Sequence, residues 1–209
     1  MTSVKRESRH DRRVEETRAA IIEAADMLFA RVGYARTTIG DIADEAGVVV
    51  QTIYNAVGPK STVLLAVVDR AAAGPLAPRS VPTFMAERTG QLTDAASMAE
   101  MLADWFAEVQ PRVVGINRVI REAAATDPAV AKIEVARASQ RLHNYGMAAD
   151  ALAGLPGARD LPREEVAATI WSVGHPQTYV QLTEVEGWSP GRYRDWVART
   201  LADALVAGG

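Results

Sequence analysis

The sequence predicts an all-α protein, with a compact N-terminal helical unit followed by a larger helical bundle. Three observations carry that reading. Apolar residues recur at helical spacing, while strand-like alternation is almost absent. Alanine, the best helix former, is abundant along the whole chain. Glycines and prolines fall mostly at the ends of the periodic segments, where they act as stops and first-turn residues.

The first helix rests on Ile21, Ala24, Ala25, Leu28, Phe29 and Val32, one face at i, i+3, i+4, i+7, i+8 and i+11. Gly33 supplies the left-handed residue that ends it. Thr38 with Asp41 three residues on has capping-box spacing and predicts a short second helix. Its stripe is Ile39, Ile42, Ala43 and Ala46, and Gly47 stops it. A third short helix fits between Gly47 and the breaker pair Gly58-Pro59, and a fourth runs from Lys60 to Ala73 on Val63, Leu64, Val67 and Val68. Residues 1–13 then form a basic arm and 14–73 one domain. The prolines Pro75, Pro78 and Pro82 mark a linker at 74–82, and 83–209 form the second domain. Helices are predicted there near 83–90, 95–109, 111–125, 128–153, 163–184 and 190–206. Pro111, Pro128, Pro156, Pro162 and Pro190 lie at their boundaries.

Composition excludes several classes. Of 209 residues, 48% are hydrophobic and 23% charged, ordinary globular usage, so a disordered or collagen-like chain is out. With no cysteine there is no disulfide scaffold, thiolate zinc site or thiol nucleophile. The longest apolar runs, such as Val63–Val68, are too short to span a bilayer, and Met1–Arg13 lacks a signal peptide's apolar stretch. A soluble, cytoplasmic protein without membrane contact is expected. The net charge of −3 argues against wholesale electrostatic binding to nucleic acid. The arm departs from that average: Lys5, Arg6, Arg9, Arg12 and Arg13 face only Glu7 and Asp11. It is either a solvated terminus or a phosphate-binding arm, with Arg12 and Arg13 as DNA-contacting candidates.

The sequence from Phe29 to Lys60 has the layout of a helix-turn-helix, in which the second short helix enters the major groove. The run from Phe29-Ala-Arg-Val-Gly-Tyr-Ala-Arg-Thr-Thr-Ile-Gly-Asp-Ile-Ala-Asp-Glu-Ala-Gly-Val to Val-Val-Gln-Thr-Ile-Tyr-Asn55, and on to Gly58-Pro59-Lys60, resembles the DNA-binding domain of the tetracycline-repressor (TetR) family. The resemblance covers about residues 17–68 by motif; beyond it only helix number, length and order agree. It implies a double-stranded, palindromic DNA operator, a homodimer and a small-molecule effector of unknown identity. It also implies that Thr38 holds a backbone phosphate and that Val50, Gln51 and Thr52 meet base edges. Tyr54 and Asn55 resemble phosphate- and edge-contacting positions, and Lys60 a phosphate-pairing lysine. Tyr54 as core packing and Lys60 as a solvated helix-start lysine are the structural alternatives. Val49 sits where Ser or Thr often caps the recognition helix, so that cap is weak. Residues 14–73 hold only five basic groups, Arg18, Arg31, Arg36, Lys60 and Arg70, fewer than their acids. DNA affinity therefore rests on placed contacts and the arm, not on a broad positive field.

The second domain carries effector-site candidates: Trp105, Phe106, Val109, Ile120, His143, Met147, Trp171, His175 and Tyr179. The alternative is that they fill the core. Gly174-His175-Pro176 interrupts a helical pattern, and Pro176 leaves the Ser172 carbonyl without its usual donor, as at cavity-lining kinks. The ligand these residues suggest is hydrophobic and weakly polar. The last two helices, with Ile170, Val173, Trp196, Leu201 and Leu205, resemble the family's dimer-forming pair, and an apolar stripe of that size predicts an interface.

No enzyme, cofactor or metal is expected. Gly187-Trp188-Ser189-Pro190-Gly191 matches a nucleophile elbow in letters, which would make an all-α hydrolase using Ser189. The elbow needs a preceding strand and a later His, and Ser189-Pro190 reads better as a helix N-cap and first turn. His10, His143 and His175 are too scattered to ligate a metal. A helix-turn-helix serving only protein–protein interaction is the remaining alternative.

Overall fold

The computed structural model describes residues 9–74 and 88–208. Their elements are α1 (Arg9–Val32), α2 (Ile39–Ala46), α3 (Val50–Ala56), α4 (Lys60–Ala73), α5 (Ala95–Ala124), α6 (Pro128–Ala153), α7 (Arg163–Val173), α8 (Pro176–Val180) and α9 (Pro190–Leu205). A π-helical turn at Gln181–Val185 continues α8. Among the described residues the sole β feature is an isolated bridge between Ala158 and Val206. No described helix is long and apolar enough to cross a membrane. The expected linker (but for Gly74), most of the expected helix at 83–90, and Lys5 and Arg6 of the arm lie outside the described residues. Arg12 and Arg13, read as arm, belong to the start of α1.

The chain forms two compact units, and the division falls within α4, α5 and α6. One holds residues up to Asp69 with Arg118–Ile133; the other holds Arg70–Asn117 with Glu134 onward. In the first unit, α1, α2 and α3 bury Ile21, Ala25, Phe29, Ile42 and Ile53 almost completely. Burying side chains of this size drives the packing of helices too short to stand alone. α2 starts as the capping box predicts: Asp41 N–H donates to Thr38 Oγ1 at 3.1 Å, and Thr38 N–H to Asp41 Oδ2 at 2.8 Å. It ends on Gly47, left-handed at φ 65°, and Val48 N–H reaches back to the Ala43 carbonyl at 2.9 Å. That closure satisfies a last-turn carbonyl and turns the chain into α3.

The second unit is built on α5, α7 and α9, with Met98, Leu102, Phe106, Ile170, Tyr193 and Leu201 at its centre. Arg194 ties α9 to α5 through Asp104 at 2.8 Å and through Glu100. Three expectations are corrected here. Pro111 does not separate two helices: it lies inside α5. A proline removes one backbone bond, and the buried run Phe106, Val109, Gln110 and Val113 keeps the helix continuous across it. The expected helix 163–184 is instead split at Gly174, which lies against Phe106. Finally, Ile170, Val173, Leu201 and Leu205 are buried within the chain itself, where α7 packs on α9. The apolar stripe that suggested a dimer interface is intramolecular core except for Trp196, which is half-buried.

Candidate functional site

α3 presents the candidate nucleic-acid surface. Ile53 is its anchor, fully buried, so the residues around it on the helix must face outward. Val50, Gln51, Tyr54 and Asn55 are all exposed, Tyr54 at 49%, while Thr52 is half-buried. The exposed ring answers the question of Tyr54: it is not core. Gln51 Nε2 donates to Asn55 Oδ1 at 2.9 Å, one helical turn on, so the two amides are oriented as a pair. Val49 begins the helix with no side-chain cap and is 70% exposed. At the other end, Arg18 of α1 donates to the Ala56 carbonyl at 3.0 Å, placing a cation at the negative pole of α3. Sequence reasoning missed Arg18, because nothing local marks a contact across 38 residues.

Thr38 is exposed at the head of α2, as a phosphate-binding residue must be. Its amide first, and its hydroxyl second, hold the Asp41 carboxyl below the usual carboxylate range. The hydroxyl therefore already serves the cap, and a phosphate would share it. Arg12 and Arg13 are exposed on the first turns of α1.

Lys60 is half-buried and has partners within the chain. Its Nζ donates to the carbonyls of Tyr34 at 3.0 Å and Thr37 at 2.9 Å, and lies 4.1 Å from the centroid of the Tyr34 ring. An ammonium has three protons, and two are fixed to the loop that joins α1 to α2. Burial lowers its pKa, with Asp127 opposing the shift. The same tyrosine donates its hydroxyl to Asp127 Oδ2 at 2.8 Å. Burial, then that hydrogen bond, pushes the Tyr34 hydroxyl well up, whereas Asp127 is held down by Tyr34 first and the Ala129 amide next. Lys60, Tyr34 and Asp127 thus form one fastener that holds the entry to α2 against the α5–α6 turn.

The effector-site candidates do not form a single cluster. Trp105, Phe106, Val109 and Tyr179 are buried in the second unit, with Trp171 and His175 half-buried there and their rings 6.3 Å apart. His143 and Met147, in contrast, are exposed on α6, and Ile120 belongs to the first unit. This unit also joins residues that no local pattern links. Tyr145 stacks edge-on to Phe106 at 6.2 Å, and Tyr193 edge-on to Tyr179 at 4.9 Å. Gln110, 3% exposed, donates to the Gly174 carbonyl at 2.6 Å. The Ser172 carbonyl orphaned by Pro176 is taken by the Thr178 hydroxyl at 2.8 Å, and His175 Nδ1 accepts from the Gln177 amide. Ser189 Oγ accepts from the Arg192 amide at 3.2 Å with Pro190 at the first turn, so the serine of the elbow-like motif is a helix cap.

Residues 21–71 match the family of bacterial regulatory proteins, tetR family. The chain is 30% identical over 191 residues to a Pseudomonas putida protein described as "Probable HTH-type transcriptional regulator ArpR", an alignment covering 83% of this chain and 88% of that one. Among solved structures it is similar to NalD, the secondary repressor of the MexAB-OprM multidrug efflux pump in Pseudomonas aeruginosa. That likeness has a TM-score of 0.71 and 16% identity over 92% of this chain and 97% of NalD. It is also similar to SmeT in its triclosan complex, at TM-score 0.63 and 24% identity over 93% of each chain. With a capped helix-turn-helix whose third helix is bare on its outer face, the family match over it, and a transcriptional-regulator relative aligned over most of both chains, the chain belongs to the tetR family of bacterial transcriptional regulators.

Proposed function

We propose that the protein is a homodimeric, cytoplasmic repressor that binds a palindromic operator and leaves it when the second unit takes up a small molecule. The observation that carries the reading is the outer face of α3. Val50, Gln51, Tyr54 and Asn55 are exposed on a helix whose buried side is fixed by Ile53, and nothing in packing requires them there. Paired amides suit adenine, which offers one donor and one acceptor in the major groove, and the valine methyls suit thymine. The repressor sense draws on NalD, named as a repressor, and the effector on SmeT, solved with triclosan. α5 and α6 each run through the division between the two units, giving ligand binding in one a continuous helical link to the other.

The test is selection of bound duplexes from a random pool at low salt. An imperfect palindrome is expected, and Gln51→Ala should relax preference at one position per half-site at a cost of about 1–3 kcal/mol. Failure to retain any duplex would instead favour a helix-turn-helix used for protein contacts.

A further inference from the structure

Among the described residues, four buried side-chain atoms have no hydrogen-bond partner within the chain: Gln110 Oε1, Arg141 Nε, Trp171 Nε1 and Tyr193 Oη. All four residues belong to the second unit. Burying polar atoms without partners is unfavourable, and folded proteins keep few of them. Contacts and helix spacing connect them to the aromatic residues of this unit. Gln110 is bonded to Gly174, Gly174 lies against the Phe106 ring, and Phe106 meets Tyr145. Tyr145 stands one turn beyond Arg141 on α6, Trp171 one turn before Gly174 on α7, and Tyr193 packs on Tyr179. Tyr193 is fully buried and Gln110 nearly so.

Resting on the reading of the second unit as the effector domain, we propose that these atoms are the specificity groups of its ligand site, and that the ligand is an aromatic molecule carrying a hydroxyl. The rings of Phe106, Tyr145 and Trp171 supply apolar contact for an aromatic body. Gln110 Oε1 is an acceptor and requires a donor from the ligand. Trp171 Nε1 and Arg141 Nε are donors, and the Tyr193 hydroxyl is both. A hydroxyl answers both kinds at once, which a hydrocarbon, an ether or a halide cannot.

The experiment uses the full chain and two matched probes: biphenyl and 4-hydroxybiphenyl. Calorimetry should show 4-hydroxybiphenyl binding at least about tenfold tighter than biphenyl, because polar groups left unpaired reject the analogue that lacks the matching atom. Tyr193→Phe and Gln110→Leu should each reduce the hydroxyl preference to within about threefold, and Trp171→Phe should lower it in the same direction. Without a probe, Tyr193→Phe should melt at the same temperature as the parent or higher, since the hydroxyl it removes is unpaired. Equal binding of biphenyl and 4-hydroxybiphenyl, a preference untouched by all three variants, binding of none of the probes, or a lower melting point for ligand-free Tyr193→Phe would each overturn the proposal. Operator selection by the parent protein without probe is scored separately. Its loss would overturn the regulator reading, whereas its persistence with no hydroxyl preference would overturn this proposal alone.

Discussion

At the scale of single residues, Tyr34 joins more of the first unit than any base-reading candidate does. Its ring lies 5.5 Å from Phe29 and beneath the Lys60 ammonium, its carbonyl takes a Lys60 proton, and its hydroxyl holds Asp127. Tyr34→Phe removes only the hydroxyl and should cost about 1 kcal/mol in urea unfolding, the typical net worth of one hydrogen bond. Lys60→Ala should lower stability and leave the salt dependence of operator binding nearly unchanged; a drop of about 1 in the salt slope would restore a phosphate contact to it. Asp127 makes the fastener pH-dependent. Its carboxyl titrates below its unfolded value, so it adds stability above that value and loses it as the pH falls through the lowered one. Asp127→Asn should therefore melt below the parent near neutrality, with the gap closing below about pH 4. A gap that persists in acid would assign the effect to packing. The capping box of Thr38 and Asp41 could be read from the sequence because both partners sit in one turn. Tyr34 and Asp127 are 93 residues apart, and no periodicity reports such a pairing.

At the scale of elements, the helices were legible where a cap or stop is local and illegible where packing overrides the local signal. Gly33, Gly47 and Ser189-Pro190 ended or began helices as their chemistry requires. Pro111 misled because its cost is modest beside the burial of the α5 face that contains it. Gly174 is the converse case. Its φ of −85° suits any residue, so backbone freedom is not why glycine stands there. The reason is space: a Cβ would overlap the Phe106 ring. Gly174→Ala should then destabilise by about 1–3 kcal/mol or more, the range for overpacking, and should also strain the Gln110 bond to the Gly174 carbonyl. Combining it with Phe106→Leu should recover part of the loss, because the smaller side chain makes room. Strictly additive losses in the double variant would show that the two positions do not compete for the same space.

For the molecule as a whole, the charge distribution decides how much one helix-turn-helix can do. Each chain has one α3, and residues 14–73 carry fewer basic than acidic groups. A single copy on DNA would release few counterions and hold its site weakly at physiological salt. Two copies spaced to meet successive major grooves, about 34–36 Å apart, double the phosphate contacts and read both halves of a palindrome. The stripe first expected to join the copies is largely consumed inside the chain, with Leu201 and Ile170 fully buried, so of that stripe only the half-buried Trp196 is left to join side chains outside it in a dimer contact. Light scattering of the free protein at micromolar concentration should give twice the chain mass, and titration of the selected duplex should saturate at two chains per palindrome. Ile170→Ala and Leu201→Ala should lower melting temperature without raising the monomer fraction in proportion, as expected of core residues. If either substitution instead yields a folded monomer of unchanged stability, the stripe is an interface after all. A parent protein that stays monomeric while still selecting a palindrome would remove the dimer from the mechanism.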